Sequence, residues 1–91
     1  MWYYTYIIKS LKNNKYYTGF TSDLKKRLRE HNMGKKGSWT RGKGPYKILY
    51  FEACRHIEDA LARELFLKSG MGKRYIHNRL KNFLIKDDES R

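Results

Sequence analysis

Ninety-one residues make room for one domain and no second. Lys and Arg number 21 against 9 acids, a formal net charge of +12, and the mean hydropathy is −0.91. The most apolar stretch, Trp2 to Ile8, is far short of the roughly 20 residues of a membrane helix. Met1-Trp2-Tyr3-Tyr4 is not the opening of a signal peptide. One cysteine, Cys54, excludes an internal disulfide framework and a cysteine-based zinc site. These features point to a small, soluble, cytoplasmic domain.

The charge is uneven. Residues 1–51 hold 12 Lys and Arg against 2 acids, a balance of +10, whereas residues 52–91 hold 9 against 7, a balance of +2. Such an excess suits a phosphate backbone. An anionic membrane surface would call for one amphipathic helix with a basic face, and no single helix carries the excess, so no membrane partner is expected.

In chain order, Trp2–Ser10 is aromatic and β-branched and predicts a strand. Leu11–Lys15 is a turn with two adjacent Asn, which tolerate positive φ. Tyr16–Thr21 completes a hairpin. Thr21-Ser22-Asp23 starts a helix over 24–33, with Gly34 as its stop. Lys35–Pro45 is a basic, Gly-rich loop. Tyr46–Glu52 is a third strand, with Cys54 a small buried hydrophobe near its end. A second helix spans about 57–69 and ends at Gly70, and a third runs from 73 to about 84. Residues 86–91 are a polar tail after a single domain over 1–85. The order β-β-α-β-α-α predicts an α+β fold, a three-stranded, mostly antiparallel sheet flanked by helices.

Several positions need an explanation beyond solubility. At about 100° per residue, Leu24 and Leu28 define the inner face of the first helix. Arg27 and His31, at i and i+4, border that face, and Lys25, Lys26, Arg29 and Glu30 point to water. On helical angles alone, an Arg that snorkels and a half-buried His are the favoured reading. On the second helix, Ile57, Ala60, Leu61 and Leu65 form an apolar arc with Glu64 in its middle. A carboxylate there must exchange water for a cation or donors, and carboxylate oxygen suits Mg²⁺ or Mn²⁺. A pair with Lys68 at i+4, worth about 0.3–0.5 kcal/mol, is the plain alternative.

In the hairpin, Tyr4, Tyr6 and Ile8 share one face. Pairing Ser10 with Tyr17 would bring Tyr17, Gly19 and Thr21 to that same face, although a one-residue slip would reverse it. Glycine inside a strand is unfavourable unless another group approaches closely, and strand propensity alone would explain the tyrosines. In the loop, Lys35, Lys36, Trp39, Thr40, Arg41 and Lys43 suit phosphate contact and base stacking. A solvated loop with Trp39 over the core edge is the other reading.

Tyr4-Thr5-Tyr6, Tyr17-Thr18-Gly19, Asp23 to Leu28 with His31, Thr40-Arg41-Gly42 and Ala60 to Lys68 together resemble the GIY-YIG nuclease superfamily over residues 2–78. The resemblance is to small stand-alone members similar to the N-terminal nuclease domain of the bacterial excinuclease. Tyr4 stands where the family has Gly, and Thr18 where it has Ile. The downstream Asn of the family falls at Asn78. The resemblance implies one catalytic site made of Tyr6, Tyr17, Arg27, His31 and Glu64, with Glu64 holding Mg²⁺ or Mn²⁺. It implies hydrolysis of phosphodiester bonds in DNA, with RNA left open as a partner. Tyr17 would take the proton of the attacking water and Tyr6 would orient water or phosphate, helped by positive charge that favours a phenolate. Each chain holds one site, so double-strand cutting would need a homodimer or two successive nicks. The alternative is a non-catalytic nucleic-acid-binding domain that retains the fold.

Overall fold

The computed structural model describes residues 1–33 and 44–89. Its elements are β1 (Tyr3–Ser10), β2 (Tyr16–Thr21), α1 (Leu24–Met33), β3 (Tyr46–Cys54), α2 (Ile57–Lys68), α3 (Gly70–Arg79) and α4 (Lys81–Glu89). The three strands form an antiparallel sheet in the order β2-β1-β3, so the first strand lies in the middle. The expected α+β layout therefore holds, with one helix more. The chain breaks at Leu80, where expectation had one continuous helix, and the segment read as a polar tail continues as α4 through Glu89. Leu80 is partly buried against the Ile7–Leu67–Ile76 core, which anchors the corner between the two helices.

The hairpin turn is built from its own side chains. Ser10 Oγ accepts from the amides of Lys12 and Asn13, each at 3.1 Å. Asn13 Oδ1 accepts from the Lys15 amide at 2.9 Å. Asn14 takes the left-handed conformation, φ 61°, that Asn tolerates better than most residues.

Tyr17 pairs with Ile8, two residues from the assumed partner Ser10, and Tyr6 pairs with Gly19. A shift of two preserves side-chain parity, so Tyr17 and Gly19 do share the Tyr6 face. The alternation of the strands puts helices on both sides of the sheet. On one side, Tyr6, Ile8 and Tyr46 form a core completed by Tyr17, Ile48 and the α1 residues Leu24 and Leu28. On the other, Ile7 packs with Leu67 of α2 and Ile76 of α3, with Tyr50 and Phe66 at the margin.

Asp23 caps α1, its Oδ1 accepting from the Lys26 amide at 3.1 Å. At the far end of α1, Asn32 Oδ1 accepts from the Tyr46 amide at 2.6 Å and ties the helix to the start of β3. Ser69, rather than Gly70, makes the α2–α3 corner: its Oγ donates to Phe66 O at 2.6 Å and accepts from the Gly72 amide at 3.1 Å. Gly72 belongs there because a Cβ would be driven into the backbone of Phe66 and Leu67.

The buried side of α2 differs from expectation. Ala60 and Leu67 are inside, while Ile57, Leu61 and Leu65 are exposed, Leu65 at 73%. The rotation is set by polar ties. Thr5 Oγ1 donates to Ala60 O at 2.8 Å. Arg63 grips Glu52 of β3 with two bonds, Nε to Oε1 at 2.5 Å and Nη2 to Oε2 at 3.1 Å. Cys54 is only partly buried, on the last residue of β3.

Candidate active site

Tyr6 stands on the central strand beneath α1. Its Oη lies 2.8 Å from His31 Nε2, with the rings edge to face at 5.9 Å. His31 is not half-buried as its helical angle suggested; it is 2% exposed, closed in by Tyr6 and by Tyr46, whose ring centre is 5.9 Å away. Burial pushes its pKa down to about 4, the Arg27 charge adds to this and Glu30 opposes it. The imidazole is therefore neutral at pH 7 and able to accept the Tyr6 hydroxyl proton.

Arg27, one turn earlier on α1, places its positive charge near the same phenol and favours its ionised form. It also bonds Glu30 Oε1 at 3.2 Å. Glu30 was expected in water, yet it is partly buried against Arg27 and forms part of the site's charge balance. The Tyr6 phenol is held above its ordinary pKa. Burial is the main cause; the Arg27 guanidinium pulls the other way, and the carboxylates of Glu64 and Glu30 push it higher. Tyr6 is thus a neutral hydroxyl at physiological pH.

Gly19 explains how the phenol fits. A Cβ at Gly19 would lie 2.5 Å from Tyr6 Cζ and 3.0 Å from Cε1. The ring lies across the gap that the glycine leaves on the neighbouring strand, which is the close approach its place in a strand interior implied. Tyr17 joins the group through Tyr46, edge to face at 5.8 Å, and its Oη accepts from Asn13 Nδ2 at 3.4 Å.

Glu64 comes from α2, on the opposite side of the sheet from α1, yet its charge acts on the Tyr6 phenol. Although Leu61 and Leu65 face solvent, Glu64 remains on the inward side between Ala60 and Leu67, its side chain 19% exposed. Lys68 Nζ approaches Glu64 Oε2 at 3.2 Å, so the i, i+4 pair is present. Among the described residues, no three His, Cys, Asp or Glu side chains cluster to hold a metal ion. One half-buried carboxylate fits a cation that keeps most of its waters and takes the rest of its ligands from substrate phosphate, the habit of Mg²⁺.

His31 thus touches Tyr6 directly, Tyr17 shares its face of the sheet through Tyr46, and Arg27 and Glu64 act on the phenol through their charge. The residues that sequence reasoning missed are Glu30 and Tyr46. Glu30 at i+3 from Arg27 was the available signal; Tyr46 had none beyond strand propensity. Asn78 is exposed on α3. Lys35, Lys36, Trp39, Thr40, Arg41 and Lys43 lie outside the described residues. No helix among the described residues is long and apolar enough to cross a membrane.

A small α+β domain with this strand order, this pair of strand tyrosines and an Arg and a Glu on successive helices has the design of a GIY-YIG nuclease domain. The chain belongs to the GIY-YIG catalytic domain family, which matches residues 2–82. It is similar to the UPF0213 protein of Clostridium perfringens, 43% identical over 65 residues that cover 71% of this chain and 69% of the relative. A UPF0213 protein of Haloquadratum walsbyi is 38% identical over 68 residues, 75% of each chain. The solution structure of a UPF0213 protein from Bacillus halodurans superposes with a TM-score of 0.51 at 32% identity, covering 86% of this chain and 84% of that one. The family is one of nucleases acting on nucleic acid.

Proposed function

We propose that this chain is a divalent-metal-dependent endonuclease that hydrolyses phosphodiester bonds in DNA within a single domain, residues 1–85. The observation that carries the reading is the Tyr6 hydroxyl, held at 2.8 Å from a buried neutral His31 and within the field of the Arg27 guanidinium. A structural tyrosine needs one partner; this one is set between a base and a cation.

Hydrolysis requires an in-line water, a place for its proton and charge neutralisation as phosphorus gains its new bond. Arg27 meets the phosphate with a fixed donor fork. The Tyr6 oxygen takes the water proton as its own O–H passes a proton to His31 Nε2. The water oxygen bonds to phosphorus, the bond to the leaving oxygen breaks, and that oxygen takes a proton from solvent. A phenol held neutral cannot start as a phenolate, which favours this relay over Tyr6 as a free base. Burial is the main cause of the depressed His31 pKa and the Arg27 charge the second; phosphate charge beside Arg27 offsets that second cause and so makes the imidazole a better acceptor on binding. Tyr17 packs behind Tyr46 and supports the His31 side of the group. Glu64 would hold Mg²⁺ or Mn²⁺, which supplies Lewis-acid stabilisation of the phosphate and leaving oxygens. Lys35, Lys36, Trp39, Thr40, Arg41 and Lys43 would hold the flanking backbone. With one site per chain, a double-strand break takes two copies or two nicks.

The test is nicking of supercoiled plasmid with Mg²⁺, Mn²⁺ or EDTA by wild type and by Glu64→Gln, Arg27→Ala, Tyr6→Phe and Tyr17→Phe. Metal-dependent nicking lost in the first three variants is expected; equal cleavage by all five proteins would mark a contaminant and refute the proposal. A second reading, a non-catalytic nucleic-acid-binding domain, has the Glu64–Lys68 pair in its favour. It predicts that Glu64→Gln binds DNA like wild type and that no metal-dependent product forms with either protein.

A further inference from the structure

Beside the Tyr6 group, the sheet carries a groove that the chemistry above does not use. It has a volume of about 470 Å³ and runs between the start of α1 and the β1–β3 pair, lined by Tyr4, Phe51, Leu24, Leu28, Ile48 and Lys25. Its aromatic wall is Tyr4 and Phe51, edge to face with centroids 6.0 Å apart. Phe51 is 53% exposed, an unusual cost for a phenylalanine in the middle of a strand. Edge-to-face contact with Tyr4 leaves ring surface open to a third planar group.

The groove is continuous with the candidate active site. Phe51 is the register partner of Tyr6 on β3, and Tyr4 is two residues from Tyr6 on the same face, about 7 Å along the strand. Its charge surroundings are cationic. Lys25 lines it, and the Arg55 guanidinium lies 5.0 Å above the Trp2 ring just before β1. The one acid at the rim, Asp23, has its carboxylate turned to the Lys26 amide as the cap of α1.

We propose that this groove is a stacking subsite for an unpaired nucleobase next to the phosphate bound at Tyr6 and Arg27. A base stacks on Tyr4 and Phe51 while Lys25 meets its phosphate; the combination of aromatic faces and cations is the one that holds single-stranded nucleic acid. The substrate class this favours is DNA with a frayed, flapped or gapped nucleotide rather than continuous duplex. The inference rests on nucleic-acid binding by this face, not on cleavage.

Fluorescence anisotropy in EDTA tests it without interference from cutting, using a labelled oligothymidylate and a labelled blunt duplex. Phe51→Ala and Tyr4→Ala should each weaken oligothymidylate binding by about fivefold or more, the scale of one lost base–aromatic stack, and leave duplex binding within about twofold. Phe51→Trp should keep the affinity, which separates stacking from misfolding, and circular dichroism should match wild type in each variant. Unchanged oligothymidylate binding in both Ala variants overturns the subsite alone. Equal losses for both probes overturn it as well, because they report phosphate contact. Dimerisation of wild type that Phe51→Ala abolishes gives the face to a second copy and also overturns it. If wild type binds neither probe, the nucleic-acid reading itself fails.

Discussion

Gly19→Ala is the sharpest perturbation of the candidate site, because it adds one methyl and removes nothing. The backbone there is ordinary strand, so the change should gain about 0.4–1 kcal/mol from a less flexible unfolded chain. Against this, the new Cβ would stand 2.5 Å from Tyr6 Cζ, where carbon atoms rest at about 3.5–4.0 Å. The ring must retreat by about 1 Å, an overpacking cost of about 1–3 kcal/mol. The net loss of about 0–2.6 kcal/mol should lower the melting temperature by up to roughly 20 °C for a chain of this size. The same retreat moves the phenol by about 1 Å relative to His31, enough to spoil the geometry of their 2.8 Å contact. Cleavage should therefore fall by about 100-fold, the usual consequence of a 1 Å misplacement. The assay is plasmid nicking at a temperature where circular dichroism shows the variant fully folded, with the His31 imidazole signals followed by NMR. Full activity together with unmoved His31 signals would refute the placement of Tyr6 over Gly19.

Stability should track His31. Its folded pKa of about 4 lies below the ordinary 6.5, so its contribution is complete above pH 6.5 and is lost as pH falls from 6.5 towards 4, up to about 3 kcal/mol; urea midpoints at both ends, with His31→Gln flattening the difference, check this. Glu52 titrates in the more acidic range. Burial opposes it, but the bonds from Arg63 and Tyr50 hold its carboxyl below the usual value, so the stability it provides is present above the ordinary carboxylate pKa and disappears as pH falls through the depressed one. Arg63→Met should cost about 1–2 kcal/mol in urea unfolding. Gly72→Ala should cost more than about 2 kcal/mol, because its methyl meets backbone that cannot turn aside; a wild-type melting curve would contradict the tight α2–α3 corner.

The three strands, the hairpin turn and the first two helices could be read from the chain because each depends on neighbours a few residues apart: alternating tyrosines, Asn-Asn in the turn, Asp23 at a helix start. The parity of the hairpin could only be assumed, and the break between α3 and α4 at Leu80 could not be read at all. Nor could the rotation of α2. An apolar arc through Ile57, Leu61 and Leu65 was the natural choice, yet the helix turns on Thr5 and on the Arg63–Glu52 grip, contacts between residues far apart in sequence. Glu64 keeps its inward place because both rotations include it. His31 followed the same pattern. Its helical angle marks a border position, and only the closure of Tyr6 and Tyr46 around it turns the border into a buried base. Glu30 escaped because exposure was judged from the helix alone, without the cation that draws it back.

β1 is paired along both of its edges. Its amides should be among the slowest in the molecule to exchange with deuterium, opening only when the whole domain does. The phenol of Tyr6 is therefore moored to the stiffest part of the chain, while the guanidinium and the carboxylate ride on helices attached to opposite sides of it. Breathing of those helices, rather than any drift of the phenol, would set how often all three stand in working order, and mutations far out on α1 or α2 would tune turnover by changing that fraction.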